Sequence, residues 1–193
     1  MKAPSVALVL VAAATALGAQ QPAQANPISA AFRRSITGMS HNIEQAFDSI
    51  PESKFAYRPT PAQLSIGYIA QHVADDNYVF CSSFGALKPE IPADAMSTPD
   101  TVKATWTKAK LVEQLKASFA YCDKAIDQVT DATLAEQTSI TYMGKTHAVG
   151  RASMVLGHAL DLADHYSQLA NYMRLNGILP PTALPRPRSG GGE

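Results

Sequence analysis

Apolar residues recur three and four positions apart in four long segments of the chain, and each recurrence predicts an amphipathic helix. The segments are residues 28–49, 63–87, 108–129 and 149–177. Pro51 follows the first segment, Thr107 offers a side-chain cap for the third, and Gly177 suits the end of the fourth. The pattern predicts an all-α domain built from four long helices.

Two connections between these helices differ from ordinary short turns. Residues 88–105 hold three prolines and few apolar residues, which predicts a long loop between the second and third helices. Loops of that length are typical of segments that cover a site or tie down a surface. Residues 138–148 contain Ile140, Tyr142 and the pair Gly144-Lys145, which predicts a short extended or hairpin segment before the last helix.

Polar residues that can bind a metal border the apolar stripe of the fourth helix. His158, Asp161, His165 and Gln168 fall within a stripe roughly 80° wide. Asp161 and His165 are four residues apart, so their side chains project from the same face on neighbouring turns. A carboxylate and an imidazole so placed are two ligands of a first-row metal, or else solvated residues at the rim of the core.

The second helix repeats this arrangement. His72 lies at the border of its apolar stripe, and Asp76 follows one turn later on the same edge. Two such borders that face each other would form a metal site between helices, with Asp75 or Asp76 orienting a ligand. The alternative is a histidine that bonds water or a cap beside the core.

The first 25 residues indicate a signal peptide. Lys2 precedes the apolar run 6–17, and Ala23-Gln24-Ala25 offers small residues at a cleavage spacing, with a cut after Ala19 as the alternative. The run is too short to span a bilayer, so no stable membrane anchor is expected after cleavage. We therefore expect an exported protein, periplasmic or secreted, with a domain at residues 26–180 and a disordered tail at 181–193.

Export changes the interpretation of the two cysteines, Cys81 and Cys122. An oxidising compartment permits a disulfide between them, whereas two buried free thiols fit the same apolar surroundings.

The charge balance limits the classes of partner. Sixteen basic residues offset sixteen acidic ones, and no basic cluster interrupts the middle of the chain. Binding to nucleic acid or to an anionic membrane surface is therefore not expected. No glycine-rich phosphate-binding motif is present either.

Two stretches resemble the DinB-like superfamily of four-helix-bundle proteins. They are Ile-Ala-Gln-His-Val-Ala-Asp at 69–75 and Asp-His-Tyr-Ser-Gln-Leu at 164–169, and the segment 57–61 resembles the family's link between the first two helices. The family pattern H-x-x-x-H-x-x-Q matches His165 and Gln168 but meets Asp161 where the first histidine is expected. The resemblance implies an antiparallel four-helix bundle that holds a divalent metal with three side chains.

The resemblance, transferred residue by residue, implies a set of metal ligands. We expect His72, Asp161 and His165 to bind the metal, with His158 as a reserve for Asp161. A carboxylate ligand is compatible with zinc, nickel, iron or manganese.

Two classes of function follow from such a site. An open coordination position would suit a hydrolase or a transferase that acts on an unknown small molecule, with Asp76, Gln168 and Tyr172 as catalytic candidates. Export disfavours the thiol-dependent transfer found in some family members, because small thiols are mainly cytoplasmic. The alternative is a non-catalytic bundle that binds a metal or ligand, stress-related or structural, and a homodimer is expected in either case.

Overall fold

Four long helices surround one hydrophobic core in the computed structural model, which describes residues 25–142 and 144–185. The elements, in chain order, are α1 (Pro27–Ser49), α2 (Ile66–Cys81), α3 (Ala93–Ser97), α4 (Asp100–Lys103), α5 (Lys108–Ile126), α6 (Asp131–Leu134), β1 (Gln137–Tyr142), β2 (Lys145–Gly150) and α7 (Arg151–Leu175). The predicted signal peptide falls almost wholly outside the described residues. No helix in the described ranges is both long enough and apolar enough to cross a membrane.

The core lies where the apolar stripes of α1, α2, α5 and α7 meet. Its members are the aliphatic and aromatic residues that the three-and-four spacing selects. Among the most buried are Ile36, Ile43, Phe47, Ile69, Val73, Leu115, Phe119, Val155, Leu162, Leu169 and Met173. The predicted helical bundle is thereby confirmed.

Side-chain contacts fix the relative directions of the long helices. His72 meets His165 while Asn77, later on α2, meets His158, earlier on α7, so α2 and α7 are antiparallel. Asn77 and Cys81 contact Ser118 and Cys122 in ascending order, so α2 and α5 are parallel. A parallel pair needs a connection that returns along the bundle, which explains the long segment between α2 and α5.

Two of the three prolines of that segment lie immediately before short helices. Pro92 precedes α3 and Pro99 precedes α4, positions where a missing N–H is tolerated. The predicted loop at 88–105 therefore contains two short helices. It is tied to α2 by Lys103, which is almost fully buried and paired with Asp75.

Caps explain where the long helices begin and end. The hydroxyl of Ser65 accepts a hydrogen bond from the backbone N–H of Tyr68, so α2 begins at Ile66 rather than at residue 63, and it ends at Cys81. Thr107 caps α5 as predicted. Gly177 has φ 72°, and the N–H of Ile178 donates to the carbonyl of Met173, a C-terminal cap that only glycine adopts easily.

The segment before α7 is a two-stranded antiparallel hairpin, as predicted. Gln137 pairs with Gly150 and Tyr142 with Lys145. After α7 the chain packs back on the bundle, because the hydroxyls of Tyr166 and Thr182 lie 2.9 Å apart. Packing thus continues two residues beyond the expected domain end at 180, and residues 186–193 of the predicted tail lie outside the described residues.

Candidate metal centre

Two histidine–aspartate pairs face each other between α2 and α7. Nε2 of His72 lies 3.3 Å from Oδ2 of Asp76, and Nε2 of His165 lies 3.4 Å from Oδ1 of Asp161. Each pair has the four-residue spacing that puts both side chains on one helix face. We call these four residues the histidine–aspartate cluster.

Sequence order and helix direction together bring the two imidazoles of this cluster into contact. On α2 the histidine precedes the aspartate, whereas on α7 the aspartate precedes the histidine. Because the two helices are antiparallel, histidine lies opposite histidine. The ring centroids of His72 and His165 are 4.9 Å apart, with the rings nearly perpendicular.

The closest set of ligand atoms differs from the predicted set in its carboxylate. Ligand atoms of His72, Asp76 and His165 all lie within 4.8 Å of one another. Asp161 lies against His165 on the α7 side of the cluster. The structure thus groups His72 and His165 with Asp76, which the sequence offered only as an orienting or catalytic residue, and places Asp161 beside this group through its contact with His165.

Burial and charge shift the proton affinities of the cluster. Burial raises the pKa of Asp76 to about 6, against the opposing charge of His72 and with the support of the negative charge of Asp161. Burial alone would lower the pKa of His165. The neighbouring carboxylates, above all Asp161, outweigh this effect and raise it above its ordinary value.

The residues of the cluster fit a divalent metal ion. Oδ2 of Asp161 and Nδ1 of His165 are buried and have no hydrogen-bond partner among the described residues. Such atoms are costly, about 1–3 kcal/mol each, unless an ion or water meets them. Two imidazoles with one or two carboxylates are also a common donor set for zinc, iron, nickel and manganese.

His158 does not join the cluster, which corrects its interpretation as a reserve ligand. Its ring is fully buried, with Nε2 2.8 Å from Oδ1 of Asn77 and with the rings of Phe80 and Phe84 beside it. Burial lowers its pKa to about 4, although the charge of Asp161 opposes the shift. His158 is therefore a neutral core residue at physiological pH.

A disulfide joins Cys81 to Cys122 next to His158. It links α2 to α5, and Sγ of Cys81 lies 3.9 Å from Nδ1 of His158. The structure therefore selects the bridge over two free thiols. Both sulfurs are committed to it, so the sulfur and imidazole atoms gathered here do not form a second metal site in this state.

The other two catalytic candidates make their contacts elsewhere. Nε2 of Gln168 donates to Oδ2 of Asp164, 2.7 Å away near the surface. Tyr172 is buried, and its ring meets that of Tyr57 edge-on at 6.1 Å. Nothing in these contacts supports a catalytic role for either residue.

Sequence reasoning missed the residues that flank the cluster on the α4 side. Lys103 pairs with Asp75 and with Asp100, and the ring of Tyr68 lies 6.0 Å from that of His72. Burial raises the pKa of Asp75, while the hydrogen bond from Lys103 acts against the shift. A lysine in a proline-rich loop carries no signal for burial, whereas Tyr68 could have been found at four residues before His72.

The sequence profile of the DinB superfamily matches residues 16–169, well over half of the chain. The chain belongs to the DinB superfamily. The match begins within the segment that the sequence assigns to a signal peptide. No curated protein matches the chain.

Solved structures share this fold at low sequence identity. A DinB-like protein from Bacillus cereus ATCC 10987 is 16% identical, with a TM-score of 0.62 over 82% of this chain and 98% of that one. A conserved protein from Enterococcus faecalis is also 16% identical, with a TM-score of 0.55 over 77% of this chain and 96% of that one.

An enzyme is among these structural relatives. A mycothiol-dependent maleylpyruvate isomerase is 12% identical, with a TM-score of 0.56 over 73% of this chain and 60% of the isomerase. This chain therefore spans less than two thirds of that enzyme. At such identities the likeness shows the fold alone.

Proposed function

We propose that this DinB-superfamily protein binds a divalent cation, zinc, nickel, iron or manganese, between α2 and α7. His72, Asp161 and His165 are the proposed ligands. The observation that carries the proposal is the convergence of two imidazoles with the carboxylate of Asp76, next to which an oxygen of Asp161 and a nitrogen of His165 are buried without partners among the described residues.

Asp76 is assigned a different role from the ligands. Its carboxylate lies 3.3 Å from His72, and its pKa of about 6 is suited to a group that accepts and returns a proton near neutral pH. We therefore propose that Asp76 is the base beside the metal. This assignment competes with one in which Asp76 replaces Asp161 as the ligand.

The reaction we propose is metal-dependent hydrolysis of a small molecule. A cation with an open coordination position polarises water or a substrate heteroatom when it is bound. His72 is partly exposed, so the cluster can be reached from solvent, while the buried His165 fixes the opposite side. Transfer to a small thiol is the second possibility, since the isomerase relative is named as mycothiol-dependent.

Export favours hydrolysis over thiol transfer. We propose that the protein is exported, as the first 25 residues indicate, and the disulfide between Cys81 and Cys122 supports an oxidising compartment. Small cellular thiols are mainly found in the cytoplasm. The homodimer stays a prediction, which sedimentation of the purified protein tests.

Metal analysis of matched variants tests the proposal. We expect about one divalent ion per chain in the purified protein, and a loss of at least about tenfold in affinity for zinc or manganese in His165→Ala and Asp161→Asn. Asp76→Asn should keep the metal and lose hydrolysis of chromogenic small esters. His147→Ala, on the exposed hairpin, is the control and should bind as the original protein does.

Three outcomes would change this proposal. Equal metal affinity in His165→Ala and the original protein, with both folded by circular dichroism, would overturn the metal centre. A metal that is lost in Asp76→Asn but kept in Asp161→Asn would exchange the roles of the two carboxylates. A tightly bound metal without any exchangeable water would favour a non-catalytic metal-binding bundle.

A further inference from the structure

A cavity lies beside the histidine–aspartate cluster but does not include it. It has a volume of about 750 Å³ and lies between the segment that joins α1 to α2 and the segment that joins α4 to α5. Phe55, Tyr68 and Trp106 are its aromatic lining. Sites for small organic ligands have this size and this mixture of apolar walls with a few polar groups.

Backbone contacts hold the two walls of this cavity in place. The N–H of Gly67 donates to the carbonyl of Phe55 at 2.8 Å, and that of Trp106 donates to the carbonyl of Lys103 at 2.9 Å. A side chain at Gly67 would come within 2.4 Å of the carbonyl oxygen of Ala104, so only glycine allows this approach. The cavity is therefore part of the fold, formed before any ligand enters.

The two charged side chains that line the cavity differ in whether they already have a partner. Glu52 and Arg58 both line it, but Oε1 of Glu52 already accepts a hydrogen bond from the backbone N–H of Lys108. Arg58 is exposed and forms no ion pair within the parts of the chain that the structure describes. A free guanidinium next to aromatic walls suits a carboxylate with an apolar body, because arginine binds carboxylates through two parallel hydrogen bonds.

Tyr68 connects the cavity to the cluster. Its side chain lines the cavity, and its ring lies 6.0 Å from the ring of His72. A molecule in the cavity would therefore be next to the proposed metal centre, with Tyr68 between them. Trp106 is part of the same lining, and Nζ of Lys110 lies 3.6 Å from the centroid of its ring.

We propose that this cavity is the substrate subsite and that it binds a small carboxylate with an aromatic or aliphatic body. Arg58 pairs with the carboxylate, and the body packs against Phe55, Tyr68 and Trp106. The role as a substrate subsite rests on the proposed function, whereas the binding itself does not require the metal. This difference allows the two proposals to fail separately.

The single tryptophan of the chain reports binding at this place. The probe is 3-phenylpropionate, added to protein that has been treated with EDTA to remove metal. We expect a saturable change in Trp106 emission and a matching dissociation constant by calorimetry. The uncharged 3-phenylpropan-1-ol, which has the same body, should bind at least about tenfold more weakly, a difference of about 1.4 kcal/mol.

Arg58→Gln and a matched arginine variant complete the test. Arg58→Gln should weaken 3-phenylpropionate binding by at least about tenfold, which corresponds to about 1.4 kcal/mol, and leave the alcohol unchanged. Arg34→Gln, an exposed position on α1 away from the cavity, should bind as the original protein does. Both variants alter exposed residues, and thermal melts confirm that they are folded.

The outcomes separate the cavity from the metal. The cavity proposal is overturned if 3-phenylpropionate leaves Trp106 emission unchanged. It is also overturned if Arg58→Gln binds 3-phenylpropionate as tightly as the original protein does, or if the original protein binds the alcohol as tightly as 3-phenylpropionate. Binding without any metal affinity at the cluster would keep the carboxylate site and remove the proposed function. Metal binding without carboxylate binding would remove the subsite alone.

Discussion

His158 and His165 lie two turns apart on α7 and point to the same side of the helix, yet their surroundings differ. His158 meets Asn77, two phenylalanines and a disulfide, whereas His165 meets His72 and carboxylates. The pKa of His158 falls to about 4, while that of His165 rises above its ordinary value. Both rings are buried, so burial alone cannot explain the difference.

The presence of neighbouring carboxylates decides between the two histidines. Desolvation disfavours the charged imidazole in both places, and at His158 little opposes it. At His165 the negative charges of Asp161 and Asp76 reverse the sign. A buried histidine without close carboxylates, such as His158, contributes to packing. A buried histidine beside carboxylates, such as His165, can bind a cation. The three predictions below test this contrast from the largest expected effect to the smallest.

Removal of the disulfide should lower the stability of the fold without changing the metal affinity of the histidine–aspartate cluster. The bridge closes a loop across a sequence separation of 41 residues, and the variant Cys81→Ala/Cys122→Ala should lose about 4 kcal/mol in the free energy of unfolding. Urea denaturation measures this loss. Metal affinity of the folded variant should stay unchanged, because the cluster lies at another level of α7. A loss of less than about 1 kcal/mol in the free energy of unfolding would contradict the contrast. A comparable loss in the free energy of metal binding would contradict it as well.

Acid should destabilise the protein through His158. Its pKa is about 4 in the folded state and near 6.5 when unfolded, so the unfolded chain binds the proton first as pH falls. The stability contributed by the neutral ring is complete above about pH 6.5 and is lost down to about pH 4, by about 3 kcal/mol. Asp76, whose pKa is raised, acts in the opposite direction over part of this range.

The variant His158→Gln isolates that contribution. Its free energy of unfolding should be lower than that of the original protein at pH 7 but should fall less steeply between about pH 6.5 and 4. Denaturant titrations at a series of pH values measure both slopes. His147→Gln, on the exposed hairpin, is the control and should keep the original slope. Equal slopes in His158→Gln and the original protein would show that His158 is not a neutral core residue.

Much of the fold could be predicted because apolar spacing reports helix faces directly. The stripes located all four long helices, and Thr107 and Gly177 marked two of their ends. The spacing could not show that helices begin directly after Pro92 and Pro99, because proline fits both a loop and the start of a helix. The parallel direction of α2 and α5 also depends on tertiary contacts.

The candidate site was predictable only in part. The four-residue spacing of Asp161 and His165 placed both on one face, and His72 lay on a matching border. His158 shares that face of α7, so the wheel alone could not separate it from the ligands. The position of His158 along the bundle axis separates it from the ligands. Asn77 and Cys81 lie opposite His158. His72 and Asp76 lie opposite His165. Register between helices is a tertiary property that periodicity does not encode.

Asp161→Asn gives the smallest and most specific test of the contrast. In EDTA-treated protein it should lower the pKa of His165, because it removes the nearest negative charge. A histidine with a raised pKa stabilises the fold fully below the pKa of its unfolded form and loses this stability as pH rises through the folded pKa. Asp161→Asn should therefore weaken that dependence.

Nuclear magnetic resonance titration of the His165 ring measures the shift. Asp164→Asn is the matched control, since Asp164 is on the exposed side of α7, bonds to Gln168 and has the weakest of the three carboxylate effects on His165. Its variant should move the pKa far less than Asp161→Asn does. If the two variants shift the pKa of His165 equally, a diffuse surface potential, and not the specific contact with Asp161, would explain the raised pKa. The distinction between His165 and His158 would then rest on exposure to that potential rather than on Asp161.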